Sequence, residues 1–266
     1  MDHLMDFAIS MARESGALLK ERFNTQHTID YKGEIDIVTE TDRLSEKLLT
    51  ERIIARFPQH DILAEESPEI CKGSEYRWII DPLDGTTNYA HGFPVFCVSI
   101  ALEHNRRSIL GVIFNPMLNE LFTAEKGGGA YLNGEAISVS ATDLLIESLL
   151  ATGFPYDIRV DPNNNINYFA EMALRSRAIR RAGSAALDLA YLAAGRFDGF
   201  WELKLHPWDT AAAQLLVTEA GGTVTDLSGE NYDIFGPSIV ASNGRIHDAM
   251  IGVLAEVDPL DRRIQR

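Results

Sequence analysis

Carboxylates and hydroxyls that could do chemistry gather at four places in this chain. The richest is Asp81-Pro82-Leu83-Asp84-Gly85-Thr86-Thr87, which follows the short apolar run Trp78-Ile79-Ile80. A strand reaching Asp81 cannot carry its hydrogen-bond ladder through Pro82, so the spacing predicts a strand that ends at Asp81. The turn after it places the Asp81 and Asp84 carboxylates on one side, with the Leu83 carbonyl between them. Hard oxygen donors of this kind suit Mg²⁺, which takes one or two carboxylates and leaves positions for water and phosphate. Gly85 permits close approach of the backbone. Gly85, Thr86 and Thr87 then offer N–H groups and hydroxyls to a phosphate, helped by the positive end of any helix that starts there.

The other three places are Asp36-Ile37-Val38-Thr39-Glu40-Thr41-Asp42, Ala64-Glu65-Glu66-Ser67 and Trp208-Asp209. Each has a plain reading beside the chemical one. Asp84-Gly85 is also a common hairpin turn, Asp42 and Asp209 both stand where helix N-caps stand, and Glu65-Glu66 could be loop charges. Their coincidence in one chain favours a shared metal site.

The elements that must position these residues follow from periodicity. Helical spacing of Leu4, Phe7, Ala8, Met11, Leu18 and Leu19 predicts a helix over residues 3–23, and a second runs from Asp42 to Phe57, stopped by Pro58. Strands are expected at 78–80, 95–102, 109–114, 121–123, 130–132 and 137–139, with Asn133-Gly134 as the hairpin turn before the last. Gly127-Gly128-Gly129 opens no helix and lacks a following Lys-Ser/Thr, so it reads as a turn rather than a phosphate loop. After residue 143 strands alternate with helices. Strands are expected at 149–151, 178–180, 197–201, 223–225 and 238–241, and helices at 165–175, 184–194, 209–220 and 245–254. The pattern gives two lobes of one catalytic unit, an antiparallel-rich 1–143 and an α/β 144–266, with no linker between them.

Composition narrows the partners. A net charge of −15 opposes binding to nucleic acid or anionic lipid, and makes bound metal the natural source of positive charge for a phosphate-handling site. The longest apolar run, around residues 93–102, is too short to cross a bilayer. Two cysteines, Cys71 and Cys97, form no framework, so a reducing cytoplasm is expected.

Over nearly its whole length the sequence resembles the inositol monophosphatase family. Trp78 to Tyr89, continued by His91, Phe93 and Pro94, matches the first family signature. Trp208-Asp209 with Glu219-Ala220-Gly221-Gly222 matches the second, and the Val38–Asp42 and Glu65–Ser67 segments fit the pattern between. The resemblance implies a layered αβαβα sandwich of the sugar-phosphatase type and Mg²⁺-dependent, lithium-sensitive hydrolysis of a small polyol phosphate by a metal-activated water. It implies one metal on Glu65, Asp81 and the Leu83 carbonyl, a second on Asp81, Asp84 and Asp209, and a weaker third leaning on Glu65. Thr86 and Asp42 match the pair that activates water. Asp84, Gly85, Thr86, Gly183, Ser184, Ala185, Glu202 and Asp209 match substrate contacts, and Lys32 lies near a family lysine.

A homodimer is implied too. myo-Inositol 1-phosphate is the favoured substrate, because Glu202 suits ring hydroxyls where a second phosphate would want Arg or Lys. Arg180, Arg181 and Lys204 keep a bisphosphate in play, as in fructose-1,6-bisphosphatase, histidinol-phosphatase and adenosine 3′,5′-bisphosphate phosphatase relatives. A regulatory binding protein on the same fold is the non-enzyme alternative, and the complete carboxylate set speaks against it.

Overall fold

The computed structural model describes residues 2–25, 29–31, 33 and 37–257; Lys32 and Asp36 lie outside the described residues. Helix α1 (Asp2–Arg22) buries Leu4, Ala8, Met11, Ala12 and Leu19, the stripe its periodicity predicts. After it come β1 (Ile29–Tyr31) and β2 (Ile37–Thr39), an antiparallel pair. Helix α2 (Glu40–Arg56) starts two residues before the expected Asp42. Thr39 is the N-cap, with its hydroxyl oxygen accepting from the Thr41 N–H at 3.2 Å. Asp42, at the third helical position, accepts the Thr39 N–H in return at 2.9 Å. This reciprocal arrangement is a capping box, and it displaces Asp42 from the cap.

Seven strands form the larger sheet, in the order β3 (Asp61–Ala64), β4 (Tyr76–Asp84), β5 (Cys97–His104), β6 (Arg107–Asn115), β7 (Glu120–Glu125), β8 (Gly129–Leu132) and β9 (Glu135–Ala136). A five-residue helix, α3 (Thr86–Ala90), lies between β4 and β5. All pairs are antiparallel except β3 with β4. Asn133 and Gly134 close the β8–β9 hairpin, both with positive φ, 52° and 86°, as a tight two-residue turn requires. The last strand stops at Ala136 instead of running through residues 137–139, because the Val139 N–H turns away to the Ala220 carbonyl. The triple glycine is a turn as read; its Gly127 and Gly129 N–H groups are taken by the Glu219 carboxylate, at 2.8 and 3.0 Å.

The smaller sheet has the order β11 (Ala178–Arg180), β10 (Leu149–Thr152), β12 (Gly199–Leu203), β14 (Ser238–Ser242) and β13 (Thr223–Thr225). Its first three strands are parallel and its last two join antiparallel. Helices α5 (Ala185–Ala193) and α6 (Pro207–Glu219) lie between the two sheets. One core there holds Ile79 and Phe122 of the large sheet with Leu189, Leu216, Phe200 and Ile239. A second core joins α1 and α2 to the other face of the large sheet through Trp78, Ile80 and Leu102. The third packs α4 (Ile166–Arg175) and α7 (His247–Ala255) on the outer face of the small sheet around Trp201 and Met250. The layers are therefore α, β, α, β, α, the expected sandwich. Each sheet is covered on both faces, so the functional groups must emerge at strand ends and helix starts.

Candidate active site and metal centre

The Asp81 segment departs from the predicted geometry in an informative way. β4 does not end at Asp81 but continues to Asp84, with a bulge between the two. Asp81 pairs with Ser99 and Asp84 with Cys97, so three steps on β4 match two on β5. In an unbroken strand, residues three apart point to opposite faces. One extra residue restores the phase and turns both carboxylates to the same face. Pro82 sits inside the bulge, where it owes the ladder no N–H, and its carbonyl accepts the Ser45 hydroxyl at 2.9 Å.

Helix α6 brings the third carboxylate. It opens at Pro207, two residues before the expected Asp209, so Asp209 occupies the third helical position like Asp42 in α2. Ligand oxygens of Asp81, Asp84 and Asp209 come together within 4.8 Å of one another. Each carboxylate is held by one oxygen. Asp81 Oδ1 accepts the Leu83 N–H at 2.9 Å, and Asp209 Oδ2 accepts the His206 N–H at 2.6 Å. Asp84 Oδ2 accepts the Ser184 hydroxyl at 2.6 Å and the Ala186 N–H at 2.8 Å. The other oxygen of each remains for a ligand. His206 stacks on Trp208 with ring centroids 4.8 Å apart, which fixes this corner.

Glu65 lines the same cleft. It comes one residue after Ala64, which is in register with Ile80, and so stands beside Asp81. Burial raises the Asp81 carboxyl well above the usual range, and the charges of Glu65, Asp84 and Asp209 add to this. Asp209 is pushed well up by burial, then by Asp84 and Glu65. Burial also raises Asp84, against the hydrogen bonds from Ser184 and Ala186. Carboxylates gathered this closely repel unless protons or cations lie among them. The donors are oxygen only, partly buried and preoriented, which fits a hard divalent ion such as Mg²⁺.

On the other side of Asp84 the chain turns sharply. Gly85 has φ +99°, and a Cβ there would lie 2.8 Å from the Val95 carbonyl oxygen, so only glycine is tolerated. This is the start of α3, not a hairpin. The Thr86 hydroxyl lies 2.8 Å from Asp42 Oδ1 and 3.1 Å from the Leu83 carbonyl. Asp42 Oδ2 accepts from Thr39 Oγ1 at 2.5 Å as well as from its N–H. Asp42 is fully buried, which raises its carboxyl although these bonds oppose the shift. The capping box of α2 thus aims one oxygen at Thr86.

The cleft continues past Gly183, Ser184 and Ala185 to Glu202 on β12, and is open to solvent. Ser184 caps α5, accepting the Leu187 N–H at 3.4 Å. Glu202 is buried, and burial raises its carboxyl well above the usual range, followed by the charges of Asp188 and Asp84. Among the cations at this end Lys204 is engaged, its Nζ lying 2.6 Å from Asp157 and 2.5 Å from Asp161. Arg181 lines the cleft as an exposed side chain. Arg180 is exposed and outside the cleft lining.

Several residues here escaped sequence reasoning. Thr39 was legible only as the first member of a Thr-x-x-Asp box. Cys97 lies 3.9 Å from Asp84 and 3.7 Å from Ser184, because the bulge sets its register. Asp188 is a buried acid in a helix read as simply apolar. Gly153 carries no unusual sequence signal, yet a Cβ there would fall 2.0 Å from Glu202 Oε1. Gly153→Ala should therefore push Glu202 aside and raise KM for a polyol phosphate about tenfold, a loss of the order of one charged hydrogen bond. Steady-state kinetics check this, and an unchanged KM would show that Glu202 does not depend on that opening.

Residues 1–258 match the family model described as the inositol monophosphatase family. An inositol monophosphatase of Dictyostelium discoideum is 40% identical over 263 residues, covering 96% of each chain. A protein of Escherichia coli strain K12 named Nus factor SuhB is 43% identical over 255 residues, covering 94% of this chain and 95% of its own. Among solved structures, an inositol monophosphatase from Anabaena (Nostoc) sp. PCC 7120 superimposes with a TM-score of 0.89. It is 44% identical, with 97% of this chain and 98% of that one covered.

Proposed function

The chain belongs to the inositol monophosphatase family and is a phosphoric monoester hydrolase, and from that premise we propose that it is a Mg²⁺-dependent phosphatase of myo-inositol 1-phosphate. The observation that carries this reading is one continuous cleft with three parts in sequence: the Thr86–Asp42 pair, the Asp81–Asp84–Asp209 group, and the acidic far end at Glu202.

One ion would rest on Glu65, Asp81 and the Leu83 carbonyl, a second on Asp81, Asp84 and Asp209, and a weaker third on Glu65. Bound there, Mg²⁺ supplies positive charge, an acidified water and stabilisation of the leaving oxygen. The protein's own groups do the rest. With its proton donated to Asp42 Oδ1, the Thr86 oxygen turns a lone pair outward and orients the attacking water, whose proton it accepts or relays. N–H groups of Gly85 and Thr86 hold the phosphate. Ser184, with Gly183 and Ala185, fixes Asp84 and lines the path to the polyol. Glu202 accepts hydrogen bonds from ring hydroxyls. No side-chain nucleophile is used.

A second phosphate finds little welcome at the far end. Lys204 is paired twice, Arg180 is outside the cleft, and the buried Glu202 carboxyl lines that end. This favours a polyol monophosphate over the bisphosphates. A relative named as a Nus factor keeps a regulatory binding role as the second reading, against which stands the complete carboxylate set. A homodimer is proposed from the family resemblance alone and is checked by sedimentation. No helix among the described residues can cross a membrane; the two free cysteines support a cytoplasmic location.

The test is phosphate release with Mg²⁺ from inositol 1-phosphate, fructose 1,6-bisphosphate, histidinol phosphate and adenosine 3′,5′-bisphosphate. Inositol 1-phosphate should have the highest kcat/KM, a chelator should abolish turnover, and millimolar lithium should inhibit it. Release from none of the four would hand the case to the binding role.

A further inference from the structure

Asp209 lies in the first turn of α6, and that turn is fastened from both sheets. From the large sheet, the buried Ser99 hydroxyl donates to the Trp208 carbonyl at 3.3 Å. Ser99 is the β5 residue in register with Asp81. The other fastening comes from the connection between β13 and β14. There the Tyr232 hydroxyl donates to Thr210 Oγ1 at 2.8 Å. Thr210 follows Asp209 directly and is fully buried. Its own hydroxyl donates weakly to the His206 carbonyl at 3.5 Å, and the His206 N–H is the group held by Asp209 Oδ2. Tyr232 therefore reaches the Asp209 carboxylate through the residues of a single turn.

Tyr232 is itself well anchored. Its ring packs on the core between the two sheets, and a buried phenol of this kind takes a hydrogen-bond partner for its hydroxyl. Asn231, just before it, pairs with Thr225 of β13. Phe235, three residues on, lies 5.1 Å from the Arg77 guanidinium, which Glu103 holds with bonds of 2.9 and 2.6 Å. Arg77 stands on β4, the strand of Asp81 and Asp84. The connection is thus tied to both sheets, and Tyr232 is a fixed post from which to hold α6.

The turn has something to be held against. Asp81, Asp84 and Asp209 bring ligand oxygens within 4.8 Å of one another, and ionised carboxylates this close repel when no cation lies among them. An outward swing of the first turn of α6 would relieve that repulsion and carry the Asp209 oxygen away from any ion shared with Asp81 and Asp84. Resting on the reading of Asp209 as a metal ligand, we infer that Tyr232 is a positioning residue for the metal centre: its bond to Thr210 holds this turn in place, so that the Asp209 oxygen is set before an ion arrives. Tyr232 lies outside the cleft lining and touches neither substrate nor ion. Its effect is preorganisation, which raises affinity by removing a cost of binding.

The experiment measures Mg²⁺ binding by calorimetry, and Tm with and without Mg²⁺, in the wild type, Tyr232→Phe, Thr210→Val, the double variant and Asp209→Asn. Tyr232→Phe and Thr210→Val keep the shape of the side chain and remove the same bond. Each should weaken Mg²⁺ binding about fivefold, the worth of one neutral hydrogen bond, and the double variant should lose no more than either alone. The rise in Tm caused by Mg²⁺ should shrink in all three, because binding to the folded chain is what produces it. A bond that only stabilises the fold would lower Tm equally with and without Mg²⁺ and leave the affinity unchanged; that result would overturn the proposal. Losses that multiply in the double variant would also overturn it, since the two hydroxyls would then act separately. Asp209→Asn separates this failure from failure of the metal reading. If Asp209→Asn binds Mg²⁺ as tightly as the wild type, Asp209 is not a ligand and the positioning role falls with it. If Asp209→Asn weakens binding while Tyr232→Phe does not, the positioning role alone is wrong.

Discussion

Asp84→Asn is expected to lower kcat about a thousandfold in Mg²⁺ while leaving the metal-free protein more stable than wild type at neutral pH. The loss corresponds to the several kcal/mol that a correctly held metal contributes to a phosphoryl transition state. The gain follows from the surroundings of Asp84. Its carboxyl is raised by burial and lies in a group with Asp81 and Asp209, whose carboxyls are also raised. A raised carboxyl binds its proton more tightly in the folded chain than in the unfolded one. Its contribution therefore favours folding at low pH and is lost as pH rises from about 4 through the raised value. At pH 7 that penalty is present in the wild type and absent in the variant. An asparagine oxygen can still accept from Ser184 and Ala186, so the local frame survives. Calorimetry without metal should show Tm higher by a few degrees, on the scale of about 2–4 °C per kcal/mol for a chain approaching this size. Near-normal turnover would sink the metal assignment. A lower metal-free Tm would show that repulsion within the carboxylate group is not what the ions relieve.

How far the sequence revealed this site depends on which physical rule governs each residue. The two lobes follow from periodicity and from alternating strands and helices after residue 143, and those signals are local; the five-layer stacking was implied only by the family resemblance. Element starts were less legible. Helices α2 and α6 both begin before the aspartate that looked like their cap, because Thr39 and Pro207 open them and the aspartate at the third position bonds back. That shift matters to the chemistry. A carboxylate at an N-cap would be used on its own helix, whereas Asp42 and Asp209 close the box with one oxygen and keep the other. The bulge in β4 could not be read at all, since it is defined by pairing with β5. Pro82 signalled only that something interrupts the ladder. Gly153 and Asp188 are long-range in the same sense: one is a gap shaped by Glu202, the other an acid buried in the cleft wall.

Asp42→Asn tests the other half of the cleft. The substituted side chain would keep its oxygen toward Thr39, which offers two donors to that position. Its amide would then face Thr86 and donate where Asp42 Oδ1 had accepted. The Thr86 oxygen would lose its outward lone pair, and its proton would turn to the Leu83 carbonyl 3.1 Å away. Proton acceptance from the attacking water would fail while the phosphate contacts stayed in place. kcat should fall between about a hundredfold and ten thousandfold, the usual worth of a general base, with KM within about twofold. Thr86→Ala should lose a similar factor, and the double variant little more, because the two groups act as a unit. The pH dependence carries a second signature. Wild-type kcat should decline as pH falls through the raised Asp42 value: Oδ2 already accepts two Thr39 donors, so a proton goes to Oδ1 and turns the Thr86 acceptor into a donor. In Asp42→Asn that acid limb should flatten. A variant with normal kcat, or with an unchanged acid limb, would mean that the water is oriented by some other group.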